Sequence, residues 1–160
     1  MTKTNDQVIS SRVRLARNVS DLPFVHNMNQ TEADEFINRV NGAMNKNGEY
    51  KLLRMVDVGD NDRMLLVEKH LCSKELARSA KGALLLNAHE SVAVVINEED
   101  HIRIQCILPG LDFMSADEIS SRVDIQLSES LNYSFDSQLG YLTACPTNIG
   151  TGMRASAMVH

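Results

Sequence analysis

The sequence predicts an α+β fold, with helices laid against one largely antiparallel sheet, and three patterns carry that prediction. Val92–Ile96 and Ile102–Leu108 are apolar, strand-like runs joined by a short polar segment, which reads as a hairpin and makes at least part of the sheet antiparallel. Ala33, Phe36, Ile37, Val40 and Met44 recur at helical spacing, and so do Ala116, Ile119, Val123, Leu127 and Leu131. Further strand-like runs alternate with these helices, the layout in which helices cover a sheet.

In chain order, Val8-Ile9 leads into Ser10-Ser11-Arg12-Val13-Arg14-Leu15-Ala16-Arg17. As a strand, this puts Arg12 and Arg14 on one face and Val13 and Leu15 on the other. Thr31-Glu32-Ala33-Asp34 reads as an N-cap with acids in the first turn, opening a helix to about Asn45, and Asn45–Gly48 ends it. Lys51–Val58 reads as a strand. The continuous Met64–Val67 run leaves Asp62–His70 ambiguous, with a short helix preferred. Gly82–Asn87 reads as a strand, and Ser115-Ala116-Asp117-Glu118 as a capping box opening the second long helix. Tyr141–Thr143 resembles a strand that Pro146, Asn148, Gly150 and Gly152 break into a tight loop, from which Arg154 emerges. No internal repeat, low-complexity tract or linker interrupts the chain.

Composition limits the function classes. At 160 residues one domain with a real core is expected, and 43% hydrophobic with 23% charged residues is ordinary for a soluble protein. A net charge of −5 argues against nucleic acid as the main partner. No apolar run approaches membrane-spanning length, and Met1–Asn5 does not open a signal peptide, so a cytoplasmic location is expected. Cys72, Cys106 and Cys145 show no paired spacing, which argues against a disulfide framework and a zinc site. Arginine outnumbers lysine, and Arg12, Arg14 and Arg17 crowd together, so positive charge is concentrated locally.

Three stretches carry candidate chemistry. Asn97-Glu98-Glu99-Asp100-His101-Ile102-Arg103-Ile104-Gln105 joins the two hairpin runs. With Ile102 and Ile104 inward, Arg103 lies on the other face, near the acids. A carboxylate beside a phosphate-binding arginine suits phosphoryl transfer, although a solvated acidic turn with a surface arginine has the same residues. Arg12 and Arg14 side by side offer two guanidinium forks for phosphate oxygens. The glycine-rich loop before Arg154 lets backbone N–H groups approach an anion, but it is no Walker loop because no Gly-Lys-Ser/Thr follows.

Ser10–Arg17, Glu68-Lys69-His70-Leu71, Asn97–Gln105 and Gly140–His160 together resemble the phosphagen kinases, the ATP:guanidino phosphotransferases. Within that family they are most similar to the bacterial branch that phosphorylates arginine side chains in proteins. The resemblance implies an antiparallel sheet flanked by helices, related to the glutamine synthetase catalytic fold. It implies ATP as donor, with Mg2+ carried by the nucleotide and no dedicated protein metal site. By resemblance, Glu99 holds and deprotonates the acceptor guanidinium, and Glu98 is a supporting acid. Arg12, Arg14, Arg103 and Arg154 grip the phosphates, and His70 contacts the adenosine moiety. Cys145 is the reactive cysteine near the guanidinium, tuning and contacting substrate rather than forming a covalent intermediate. Ser10, Ser11 and Val13 belong to the nucleotide-binding strand, as do Ala155, Ser156, Ala157 and Met158. Arg17 lies outside the phosphate set. Implied partners are proteins bearing arginine, a stress-response repressor, an activator protein and a protease chaperone.

The resemblance also sets expectations at both ends. Eukaryotic creatine and arginine kinases carry a helical domain before the Ser-Arg-Val-Arg stretch, whereas here only Met1–Ile9 precede Ser10. Residues 1–160 are therefore expected to be the N-terminal portion of the catalytic domain. The family's domain runs beyond the point matching His160 and there supplies a further phosphate-binding arginine and a second acceptor-contacting carboxylate. An incomplete sheet exposes an edge, and weak or no activity is expected of these residues alone. Two other readings stay open: a catalytically silent nucleotide-binding or regulatory module, and a kinase for a small free guanidino compound.

Overall fold

Period-two alternation of apolar and polar residues builds the sheet and gives it two unequal faces. The computed structural model describes residues 7–160, and the Met1–Asn5 stretch read above for a leader lies outside them. In chain order the elements are β1 (Val8–Arg17), α1 (Gln30–Met44), β2 (Tyr50–Arg54), α2 (Asp60–Glu68), α3 (Lys74–Ala77), β3 (Ala83–Asn87), β4 (Val92–Ile96), β5 (Ile102–Pro109), α4 (Phe113–Ser128), β6 (Phe135–Asp136), β7 (Gly140–Tyr141) and β8 (Met153–Val159). Six strands pair antiparallel in the order β2-β3-β4-β5-β1-β8, and β6 pairs with β7 in a separate small hairpin.

One face of the large sheet is closed by α1 and α4. Val13 and Leu15 of β1, Leu85 of β3, Val94 and Ile96 of β4, and Ile102 and Ile104 of β5 pack there against Phe36, Ile37 and Val40 of α1 and Val123 and Leu127 of α4. The other face is closed over β2, β3 and β4, where Leu53, Leu84, Leu86, Ala93 and Val95 meet Leu66 of α2 and Leu76 of α3. No buried apolar residue of β1, β5 or β8 joins that second cluster. The half of the sheet formed by those three strands therefore carries polar residues on an open face, and the candidate site lies there.

Several element boundaries differ from the sequence reading, for local reasons. The cap of α1 is Asn29, not Thr31: Asn29 Oδ1 accepts from the Glu32 amide at 2.9 Å and Glu32 Oε2 accepts from the Asn29 amide at 2.8 Å, a reciprocal capping box. The cap of α4 is Asp112, not Ser115, and its own amide donates to Ser11 Oγ. The expected strand Lys51–Val58 is split, with β2 ending at Arg54 and a 3-10 turn at Met55–Asp57 tucking Met55 into the second core. The ambiguous Asp62–His70 stretch is mostly helix, Asp60–Glu68, and ends at His70, whose φ is +59°. Of Tyr141–Thr143 only Tyr141 is in a strand.

Arg17 breaks the polar alternation of β1, because it shares parity with Val13 and Leu15 and so turns toward the helices. It is 4% exposed, and its Nη2 lies 2.7 Å from Asp124 Oδ2 of α4. Nη1 donates to the carbonyls of Ala16 and Thr151, each at 2.8 Å, and the guanidinium stacks 3.6 Å from the Tyr141 ring centroid. One buried cation thus joins β1, α4, the β7 hairpin and the loop before β8. Removing its partner leaves that charge buried and uncompensated. Asp124→Ala is therefore expected to destabilise the fold by about 3 kcal/mol in denaturant titrations.

Candidate active site

Antiparallel register brings the arginines together. In such a pair, directly opposite residues share a face. Arg14 is opposite Arg154 on β8 and Gln105 on β5, Arg12 is opposite Ser156 and Ile107, and Ala16 is opposite Arg103. Four guanidinium groups from three adjacent strands therefore stand on the open face. Arg14, Arg103 and Arg154 line one cavity with Glu98, Glu99, Asp100, Asn148 and Gly152. Arg12 borders a neighbouring cavity of about 400 Å3, lined also by Ser10, His70, Ser156, Ala157 and Met158. Its Nε donates to Ser156 Oγ at 3.2 Å.

The cluster is electrostatically costly without an anion. Burial, followed by repulsion from Arg12, Arg103 and Arg154, lowers the Arg14 pKa to about 10, with Glu98 opposing the shift. Burial and the charges of Arg103 and Arg154 lower Arg12 as well. Glu98 offsets part of this repulsion. It receives Arg103 in a fork, Nη1 to Oε1 at 2.6 Å and Nη2 to Oε2 at 2.9 Å, and Ser73 Oγ donates to Oε2 at 2.6 Å. Glu98 therefore orients Arg103, whose buried Nε has no acceptor among the described residues. Glu99 is exposed at the rim of the same cavity.

A buried polar network holds the hairpin tip. Asn97, with φ +58°, closes the turn by donating its amide to the His101 carbonyl at 3.0 Å. Asp100 is 6% exposed, and its Oδ1 accepts from Asn18 Nδ2 at 2.6 Å and from the Ala144 amide at 2.7 Å. Asp100 so ties the acidic tip to the loop containing Cys145. Gly152, with φ +65°, passes so close to β1 that a Cβ would stand 2.6 Å from the Ala16 carbonyl oxygen. That glycine serves strand contact as well as the cavity wall.

Not every residue singled out from sequence arrives at this face. The side chains of Ser11 and Val13 turn away from it, buried toward α1 and α4. Ser11 Oγ donates to the Gly110 carbonyl and accepts the Asp112 amide, and Val13 is core. Ala155 is opposite Val13 and turns its side chain the same way. Ala157 shares that parity yet borders the second cavity at the strand edge. Cys145 is half-buried with Sγ 3.0 Å from Thr147 Oγ1, and it does not line the arginine cavity, where Asn148 stands instead. Sequence reasoning missed Arg17, Asn18, Ser73 and Asp100 as supports. For Arg17 the parity break on β1 was the available signal.

The family model for the "ATP:guanido phosphotransferase, C-terminal catalytic domain" matches residues 32–160. A curated protein-arginine kinase of Clostridium kluyveri is 47% identical over 158 residues, covering 96% of this chain and 46% of the relative. One of Geobacillus is 44% identical over 162 residues, covering 98% of this chain and 45% of the relative. The chain thus spans about half the length of the curated relatives it matches. The substrate-free duplicated taurocyamine kinase of Schistosoma mansoni superposes with TM-score 0.87 at 26% identity, over 99% of this chain and 25% of that one. A lombricine kinase, at 24% identity and TM-score 0.82 over 96% of this chain and 48% of that one, shares the fold.

Two measurements test this geometry. Inorganic tripolyphosphate is expected to raise the Tm at low ionic strength and to lose that effect near about 1 M salt, because the gain is attraction to crowded cations. His101, buried behind the tip, accepts the Val19 amide at Nδ1 and approaches the Pro23 carbonyl through Nε2 at 2.8 Å. Burial lowers its pKa below 6.5 despite raising contributions from the Pro23 carbonyl, Asp100 and Asp21. The unfolded chain then binds the proton more readily, so stability is full above about pH 6.5 and falls as pH drops toward the folded-state value. Denaturant midpoints measured from pH 7.5 to 5 are expected to fall, and His101→Gln is expected to flatten the slope.

Proposed function

The chain belongs to the ATP:guanido phosphotransferase family, and from that premise we propose that the complete protein transfers the γ-phosphoryl group of ATP to arginine side chains of other proteins. The observation carrying this reading is the gathering of Arg12, Arg14, Arg103 and Arg154 on one open sheet face with Glu99 at its rim. The protein-arginine kinase names of the curated relatives support a protein-borne acceptor over a small free guanidino compound or a silent module.

The residues suit the chemistry. Crowded guanidinium groups with depressed pKa gain most from a polyanion, and the triphosphate lies along Arg12 and Arg14 between Arg103 and Arg154. The adenosine end extends into the cavity of Ser10, His70, Ser156 and Met158. Of the acids lining the cradle, Glu98 is engaged by Arg103 and Asp100 by Asn18 and the Ala144 amide, which leaves no cluster of free carboxylates for a metal and fits one carried by the phosphates. Bound Mg2+ supplies further charge neutralisation there. Glu99 accepts a proton from the acceptor guanidinium as the nitrogen–phosphorus bond forms and the bond from phosphorus to the ADP oxygen breaks. The arginines take up charge accumulating on ADP, so positioning and fixed charge do most of the work. Glu98 keeps Arg103 aimed at the phosphates. Cys145 contacts the acceptor from the loop tied to Asp100. A cytoplasmic enzyme with a stress-response repressor, an activator protein and a protease chaperone as partners is part of the same proposal.

The decisive experiment is a phosphoarginine assay on a protein substrate with ATP and Mg2+, using the complete protein. Transfer to protein supports the reading, and transfer to free arginine alone contradicts it. Glu99→Gln is expected to lower kcat about 10²- to 10⁴-fold with ATP affinity nearly intact. Arg154→Ala is expected to weaken ATP binding about ten- to a hundredfold in calorimetry. Unchanged turnover in Glu99→Gln would remove Glu99 as the base.

A further inference from the structure

Three successive outward positions of β5 meet different surroundings. Arg103 lines the cavity of the clustered arginines, and Ile107 lines the neighbouring cavity of Ser10, Arg12 and His70. Gln105 lies between them, 3% exposed, opposite Arg14 on β1 and Ala93 on β4. Its side-chain amide crosses to the end of α2 and donates to the His70 carbonyl at 2.8 Å. That helix ends in a way that favours glycine. The His70 amide donates to the Val67 carbonyl and the Leu71 amide to the Leu66 carbonyl, each at 3.0 Å, which are the paired bonds of a Schellman motif. The residue after the cap then takes the left-handed conformation, which glycine enters freely and an L side chain resists. His70 occupies it, with φ +59° and an exposed imidazole bordering the second cavity. Leu71 and Cys72 beyond it are buried in the second core, and Ser73 Oγ donates to Glu98. His70 is thus the one residue of this strap whose side chain is neither packed nor hydrogen-bonded among the described residues, and Gln105 fixes its carbonyl.

Resting on the ATP-dependent kinase reading above, we propose that Gln105 is a positioning residue for the nucleotide: by clamping the carbonyl it holds His70 left-handed and keeps the imidazole at the adenosine end of the site. Released from the clamp, His70 relaxes toward the right-handed region that an L residue prefers, and its imidazole swings off the cavity rim. One strand thereby serves both ends of the nucleotide. Arg103 meets the phosphates directly, and Gln105 meets adenosine through His70.

The test uses the complete protein, with Kd for ATP and for inorganic tripolyphosphate read by calorimetry. Tripolyphosphate meets the arginines and has no group for His70, so it separates the two ends of the site. Gln105→Met keeps the volume and removes the donor. It is expected to weaken ATP binding about tenfold, with tripolyphosphate affinity unchanged. In turnover the same variant is expected to raise KM for ATP with kcat retained, the signature of lost binding shared by ground and transition states. Gln105→Asn, which draws the amide back from the carbonyl, is expected to act in the same direction and covers a failure of Gln105→Met to fold. His70→Gly suits the left-handed cap and removes the imidazole. It is expected to weaken ATP alone by a similar factor, and adding Gln105→Met to it is expected to cost nothing more. Equal weakening of ATP and tripolyphosphate would make Gln105 a general support of the sheet and overturn the proposal. Unchanged ATP binding in Gln105→Met or in His70→Gly would overturn it too, as would a Gln105→Met loss that survives in the double variant. Transfer to protein arginine by an enzyme whose ATP affinity ignores Gln105 would leave the kinase reading standing and sink the positioning role alone. Selective loss of ATP binding in a protein that transfers to no protein arginine would sustain the positioning role and sink the kinase reading.

Discussion

Repulsion among four guanidinium groups on one sheet face is the constraint around which the rest of the structure is arranged. Like charges at this spacing separate unless the backbone beneath them is rigid. Here that rigidity comes from the opposite face, where Val13 and Leu15 of β1 and Ile102 and Ile104 of β5 are locked into the core under α1 and α4. Each strand spends one parity on burial and the other on charge. The helices on the second face stop short of β1 and β5, and that shortfall lets a ligand approach.

Two ion pairs manage the charge differently. Glu98 sits among the arginines, offsets some of their repulsion and aims Arg103 without leaving the open face. Arg17 and Asp124 lie beneath the sheet and act as a structural rivet, joining β1 to α4 and to the turn that starts β8. Asp100 does a comparable job between the hairpin tip and the Cys145 loop. These buried groups fix the hairpin tip and the strands that carry the cations, which is the preorganisation that the proposed transfer would use.

Much of this was legible in the sequence because it depends on parity and periodicity. The face shared by Arg12 and Arg14, the hairpin of β4 and β5, and both long helices follow from spacing alone, and strand register then decides that Arg154 stands opposite Arg14. The family likeness placed Ser11 and Val13 on the nucleotide-binding strand, and their parity turns the side chains of both into the interior. Caps were misjudged by a few residues because several of Asn29, Thr31, Asp112 and Ser115 can cap, and only tertiary contacts, such as Ser11 to Asp112, decide among them. The supports were hidden for a different reason. Asp100, Asn18 and Ser73 meet partners far away in the chain, and no local pattern records such contacts.

The central claim is that guanidinium groups from separate strands act on a single polyanion. Calorimetric ATP binding in the complete protein, in Arg14→Ala, in Arg154→Ala and in the double variant, tests it most directly. Residues sharing one ligand group are coupled, so the account predicts that the double loss departs from the sum of the single losses by more than about 0.5 kcal/mol. Strictly additive losses would mean that the two arginines meet the ligand independently, and would contradict the account.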